Sequence, residues 1–232
     1  MRRTLFSLVP VAILALPALG AAQQTAVEPS SGVTFPLRVS APSGGEHLLT
    51  GTGIRTKTFL KVKVYAFGLY VDSAGAAAAL AAHAGKDLKT LQKDQAFYDD
   101  LLKLQFPMTL RLVMTRNVGG EDMAEAFDGA LRPRVQRAAA EMSMPGGEDA
   151  LTTFRGLFSV SEMTKDSELL FSCAPDGTLS SRVKGEDKAA ISSPALCWAL
   201  FDVYLGPKPI SGDGKKGVAA NFPALLGGGA PR

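Results

Sequence analysis

Only two of the 232 residues are cysteine, Cys173 and Cys197, and only two are histidine, His47 and His83. Neither histidine sits at metal-ligand spacing from another His, Cys or acid, which argues against a zinc or iron centre. No nucleophile elbow, phosphate loop or dinucleotide fingerprint is present; Gly51-Thr-Gly53 lacks the third glycine and the following helix that a dinucleotide site needs. The chain therefore implies no cofactor. A strong charge of either sign is also missing. The formal net charge is +3, and setting aside Arg2 and Arg3 leaves 23 basic against 22 acidic residues. Neither nucleic acid nor an anionic membrane is favoured by that balance. Arg132, Arg134 and Arg137 read as the wet side of a helix, and Lys57, Lys61 and Lys63 as a solvated strand face. No aromatic interleaving turns either set into a nucleic-acid surface.

Long apolar runs are absent too, except at the N-terminus. Residues 5–19 are apolar behind Arg2-Arg3 and are followed by the small residues 18–22. The run is shorter than the ~20 residues a membrane span needs and holds Pro10 and Pro17, so residues 1–22 read as a cleaved signal peptide. The expected location is exported, periplasmic or secreted, with no transmembrane segment after cleavage. An oxidising compartment permits a Cys173–Cys197 disulfide. Both cysteines lie in apolar stretches, so two buried free thiols are the open alternative.

What is present reads as one domain, residues 33–226, between a disordered start at 23–32 and a flexible tail at 227–232. Residues 33–40, 48–52 and 59–71 are expected strands, with Gly51 and Gly53 marking a bend or bulge. Residues 76–84 read as an alanine-rich helix carrying an exposed His83, and residues 94–104 as another. His47 reads as a surface residue at a strand start. In the expected strand 108–115, Leu110, Leu112 and Met114 share a face. After Gly119-Gly120, the stripe Met123, Phe127, Ala130 or Leu131, Val135, Ala138 and Met142 has helical spacing, with a kink expected at Pro133. Residues 150–160 read as a further helix. Residues 168–173 and 179–183 form a hairpin across Ala174-Pro-Asp-Gly-Thr178. Ser193-Pro194 opens a helix closed by Gly206. Ser211 caps a last helix carrying Val218, Phe222 and Leu225. Strands, helices, a hairpin and more helices indicate an α+β fold on an antiparallel sheet.

The most informative segment is Gly51 to Asp72. It sets Arg55 beside a β-prone run that becomes apolar on both faces. A guanidinium near a dry interior needs an anion. That anion is either an internal acid such as Asp72 or Asp202, or a ligand.

The blocks Thr56-Lys-Thr-Phe-Leu60 and Val64-Tyr-Ala-Phe-Gly-Leu-Tyr70 resemble the chalcone isomerase fold family. So do Ser193-Pro-Ala-Leu-Cys-Trp-Ala-Leu-Phe-Asp-Val-Tyr-Leu-Gly206, Pro209-Ile-Ser-Gly-Asp-Gly-Lys-Lys216 and Pro223-Ala-Leu-Leu226. Residues 110–135 fit more loosely. The resemblance is strongest to the family's non-catalytic, fatty-acid-binding branch, here as a bacterial-type exported member. It implies an open-faced β-sandwich, a large antiparallel sheet covered on one face by helices, with a ligand cleft between. Family enzymes cyclise chalcones, and Arg55 matches their cleft arginine. Their other polar positions fall at Tyr65, Met123, Ala130 and Val203, which are mostly apolar here. The fatty-acid-binding branch holds a carboxylate with an arginine and a tyrosine, matched by Arg55 and Tyr65. The implied ligand is a fatty acid or similar amphipathic carboxylate, in a cleft lined by Met123, Phe127, Ala130 and Val203. The alternative is an intramolecular lyase or isomerase acting on a phenolic substrate, with Arg55 on a developing oxyanion and Tyr65 as donor. A third reading is a scaffold whose cleft is filled by its own side chains.

Overall fold

Residues 24–57 and 60–227 are described by the computed structural model. The expected signal peptide, the expected strand start at Phe59 and residues 228–232 of the expected tail lie outside the described residues. The strands are β1 (Thr25–Val27), β2 (Thr34–Pro36), β3 (Arg38–Ser40), β4 (Glu46–Lys57), β5 (Val62–Val71), β6 (Met108–Met114), β7 (Val118–Gly119), β8 (Glu162–Met163), β9 (Glu168–Cys173), β10 (Thr178–Val183), β11 (Glu186–Asp187) and β12 (Ile191–Ser192). The helices are α1 (Ser73–Ala79), α2 (Leu88–Leu91), α3 (Gln95–Leu101), α4 (Gly120–Met142), α5 (Glu148–Gly156), α6 (Pro194–Leu205), α7 (Gly212–Gly217) and α8 (Phe222–Leu226).

One antiparallel sheet runs in the order β11-β10-β9-β6-β5-β4-β3, with β12 on β10. Period-two alternation divides its side chains. Phe67, Leu69, Leu110, Leu112, Met114, Leu169 and Phe171 join the main core with residues from every helix except α7. On the opposite face Leu49, Ala66, Tyr70 and Val113 are covered by Phe35 of β2. The expected α+β architecture, a large antiparallel sheet with helices on one face, is what the chain adopts.

The first of two irregularities in β4–β5 decides which way Arg55 points. The register steps between Leu49↔Tyr70 and Gly51↔Leu69, leaving Thr50 as an extra residue on β4. A one-residue step flips every later side chain to the other face. Without it Arg55 would point away from the helices; with it Arg55 stands on the core face opposite Tyr65. The bulge is pinned: Thr50 Oγ1 donates to the Leu69 carbonyl at 3.1 Å, and the Asn221 amide donates to the Thr50 carbonyl at 2.7 Å. Gly51 and Gly53 also face inward, and of the expected bend or bulge β4 takes the bulge, at Thr50 beside Gly51. Their bareness lets α7 lie on the strand: a Cβ on Gly51 would come within 2.1 Å of the Gly217 carbonyl oxygen.

Other expectations are corrected. Residues 24–32 are ordered, because β1 pairs with β2 and the buried Glu28 carboxylate accepts from the Ser31 amide (2.7 Å) and hydroxyl (2.6 Å). The single strand expected at 33–40 is two, since Pro36 lacks an amide hydrogen and the chain then changes partner from β1 to β4. The last helix is likewise two, because Asn221 breaks it to bond the edge of β4. Both histidines are buried. His47 Nδ1 lies 2.8 Å from Thr109 Oγ1, and His83 Nε2 lies 2.7 Å from Asp100. Met142 falls outside the core stripe of α4, which continues through Pro133. Arg134 is not on a wet face; it bonds Asp202 at 2.8 Å and the Lys208 carbonyl at 2.8 Å.

Cap and hairpin expectations are met. Ser193 Oγ accepts from Leu196, Pro194 opens α6 and Gly206 closes it. β9 and β10 form the hairpin across residues 174–177. Cys173 of β9 and Cys197 of α6 are joined by a disulfide with Cα atoms 5.8 Å apart, stapling the sheet to the helix layer.

Candidate functional site

Arg55 and Tyr65 are brought together by their cross-strand pairing. Arg55 Nη1 donates to Tyr65 Oη at 3.4 Å, and its guanidinium carbon lies 5.5 Å from the Tyr65 ring centroid. Tyr65 Oη in turn lies 2.8 Å from Tyr204 Oη. Tyr204 comes from α6, a helix buried all round, and its ring meets Phe67 edge-on at 4.9 Å. Tyr204 was given no role from the sequence; the signal available was its place directly after Val203 in the family-like block.

This chain of groups is rich in donors and short of acceptors. A guanidinium has five N–H donors and no acceptor. The two phenols spend one proton on each other and leave one free, whichever donates. Among the described residues no carboxylate lies within 4.0 Å of Arg55. The internal acids that would have satisfied it are engaged elsewhere: Asp202 with Arg134 and Arg137, and Asp72 as the cap of α1, accepting from the Gly75 amide at 2.7 Å. Burial disfavours the Arg55 cation, but the Tyr65 and Tyr204 oxygens more than offset this, and its pKa is raised. Burial pushes the Tyr204 hydroxyl well above its ordinary value, with Tyr65 adding to the effect, so it remains a neutral hydrogen-bonding group.

Arg55 borders a pocket of about 280 Å³, walled by Val62, Val64, Val118, Met123 and Ala126 and rimmed by Lys57, Arg116, Asn117 and Asp122. Its charged groups sum to a positive balance, three cations against one carboxylate. Of the four residues expected to line a cleft, Met123 alone borders this pocket. Phe127 is stacked on Phe158 at 5.0 Å and packs edge-on against Phe154 and Phe171. Ala130 is half-buried against the core, and Val203 is fully buried in it. Tyr65 is wholly buried behind the guanidinium and is absent from the pocket wall.

A family profile described as "Chalcone isomerase like" matches residues 45–219. The chain belongs to the chalcone isomerase-like family. Among curated relatives, fatty-acid-binding protein 2 of Arabidopsis thaliana is 29% identical over 208 residues, covering 86% of this chain and 51% of that protein. Fatty-acid-binding protein 1 of the same plant is 25% identical over 210 residues, covering 88% and 72%. The chalcone–flavanone isomerase of Oryza sativa subsp. japonica is 28% identical over 207 residues, covering 84% and 88%. The chain thus spans about half the length of the first of these relatives. The crystal structure of an Arabidopsis thaliana fatty-acid-binding protein superposes with a TM-score of 0.73 at 24% identity, covering 88% of this chain and 99% of that one, and shares its fold.

Proposed function

We propose that this chalcone isomerase-like protein binds a fatty acid or similar amphipathic carboxylate without transforming it, Arg55 and Tyr65 being the anchor. The observation that carries the reading is the half-buried Arg55 guanidinium, without a carboxylate partner among the described residues, at a pocket with an apolar wall and a charged rim. A carboxylate can accept two guanidinium hydrogens in parallel. It also outcompetes the 3.4 Å Arg55–Tyr65 contact, which is long for a hydrogen bond. Tyr65 lies behind the guanidinium in the free protein, so opening that contact is what lets one ligand oxygen sit between Arg55 and the Tyr65 hydroxyl, with Tyr204 backing the phenol. Two relatives named as fatty-acid-binding proteins support the ligand class. At about 280 Å³ the pocket is near the lower end of ligand sites, ~300–1,000 Å³, so it takes the head and first methylenes. A longer chain requires Met123 and Phe127 to move away from the sheet, each buried CH₂ then contributing about 0.8 kcal/mol.

The proposed setting is outside the cytoplasm. Its support is the basic-then-apolar N-terminal sequence together with the Cys173–Cys197 disulfide, which an oxidising compartment maintains. Native mass spectrometry of the purified protein tests the ligand. An acyl adduct is expected on the wild type and lost in Arg55→Ala; a bare wild type whose melting temperature ignores added fatty acids refutes the reading. A second reading, cyclisation of a phenolic substrate, is favoured by the rice relative, of which the chain covers 88%. Turnover of a chalcone panel abolished by Arg55→Ala would establish it in place of the first.

A further inference from the structure

The β4–β5 ribbon outruns the rest of the sheet. On one side β6 ends with Met114 opposite Tyr65, its course extended only by the Thr115 amide donating to the Val64 carbonyl. On the other, β3 pairs with no more than three residues of β4, Glu46 to Leu48. The pairs Thr56↔Lys63 and Lys57↔Val62 therefore project as two strands without a third. At the end of the projection Leu60 is 70% exposed, the most exposed large apolar side chain among the described residues.

Lysines surround it. Lys57, Lys61 and Lys63 are all exposed, and none has a carboxylate within salt-bridge distance among the described residues. Lys63 Nζ is held by the Ser30 carbonyl, which leaves its charge uncompensated. The three occupy both sides of the ribbon. Lys57 stands with Arg116 on the rim of the Arg55 pocket. Lys61 and Lys63 stand on the opposite side, over a groove of about 670 Å³ whose wall includes Val27, 57% exposed. The acids in that groove wall are Glu28, already bonded to Ser30 and Ser31, and Asp213. The small net charge of the whole chain, +3, hides this local excess.

We infer that the ribbon tip docks on an anionic lipid bilayer. Leu60 enters the acyl boundary while Lys57, Lys61 and Lys63 lie at the headgroups, their alkyl stems along the apolar edge. A single apolar tip with cations on both flanks fits a planar layer, apolar inside and negative at its surface. A protein groove would instead need apolar residues along one side of the ribbon. The rim of the Arg55 pocket lies at the base of this ribbon, so a docked protein holds that pocket beside the membrane. The inference rests on the fatty-acid reading only for why docking is useful, and its test contains no fatty acid.

Co-sedimentation with phosphatidylcholine vesicles, with and without phosphatidylglycerol, measures it. The wild type is expected to prefer the anionic vesicles and to lose that preference in ~1 M salt, where the screening length falls to about 3 Å. Each lysine near an anionic surface contributes about fivefold, so Lys61→Gln/Lys63→Gln is expected to bind about thirtyfold more weakly. Leu60→Ser is expected to bind about tenfold more weakly through lost apolar burial. All three side chains are exposed, so melting temperatures should not change. The variants share residues 1–22 with the wild type, so any contribution from that segment cancels. Equal binding of the wild type to both vesicles, or wild-type affinity in either variant, overturns the inference. Native mass spectrometry of the same variants separates its failure from that of the ligand reading, since cargo retention does not depend on Lys61, Lys63 or Leu60.

Discussion

The Tyr65–Tyr204 hydrogen bond makes a quantitative prediction in the unliganded protein. Tyr204 Oη has no other hydrogen-bond partner among the described residues, and its side chain is buried. Tyr65→Phe removes that partner and leaves the hydroxyl unmatched, a cost of about 1–3 kcal/mol for a buried donor or acceptor. It also frees Arg55 Nη1, which costs little because Arg55 borders the pocket and can reach water. A loss of about 2 kcal/mol follows. Tyr204→Phe is milder, about 1 kcal/mol, because Tyr65 still accepts from Arg55. The double variant removes both hydroxyls and orphans neither. Its loss should therefore fall short of the sum of the singles by about 1–2 kcal/mol. Urea midpoints at constant slope measure each value, and for a chain of this size 1 kcal/mol corresponds to roughly 2–4 °C in melting temperature. Single-variant losses that add in the double variant, or a Tyr204→Phe loss as large as that of Tyr65→Phe, would show that the two phenols are packing groups and not a coupled polar pair.

Burial lowers the pKa of His47, with the Asp72 carboxylate opposing the shift. The folded state therefore binds the proton less readily than the unfolded state, and stability should decline as pH falls below about 6.5, the unfolded value; His47→Gln should remove that part of the pH profile. Removing the Cys173–Cys197 staple, which encloses a sequence separation of 24, should cost about 3.5 kcal/mol by loop-closure entropy, read as a lower melting temperature under reducing conditions or in a double Cys→Ala variant.

The fold was legible wherever local chemistry was decisive. Ser193-Pro194 and Gly206 bounded α6 because caps act within a few residues, and Ala174-Pro-Asp-Gly-Thr178 marked its hairpin for the same reason. Errors came where a distant partner decided the outcome. Glycines in β4 marked the bulge beside them but gave no sign that their absent Cβ atoms make room for α7, more than 150 residues later in the chain. His47 and His83 looked exposed because the groups that bury them, Thr109 and Asp100 among them, lie in other elements. The pairing of Arg55 with Tyr65 followed from the family-like block. Phe127 and Val203 were assigned to a cleft by the same analogy, but here they fill the core.

The bulge at Thr50 connects these observations to function. A regular β4 would present Arg55 to the far face of the sheet, where water would solvate it and no ligand would be needed. The extra residue turns it inward and brings it to Tyr65, at the edge of a core whose other acids are committed to caps and ion pairs. Among the described residues that arrangement matches the guanidinium donors only by the long Tyr65 contact. Under the proposed function an amphipathic acid would relieve it, the carboxylate supplying the missing acceptors and its chain covering the apolar wall. The ligand should accordingly stabilise the fold. At a concentration 100-fold above its dissociation constant the gain is about 2.7 kcal/mol, slightly more than the expected loss from Tyr65→Phe. A ligand of the same apolar size without the acid, such as a fatty alcohol, leaves the guanidinium unmatched and should stabilise far less. That difference, measured as melting temperature with acid and alcohol side by side, isolates the contribution of Arg55 from that of apolar burial.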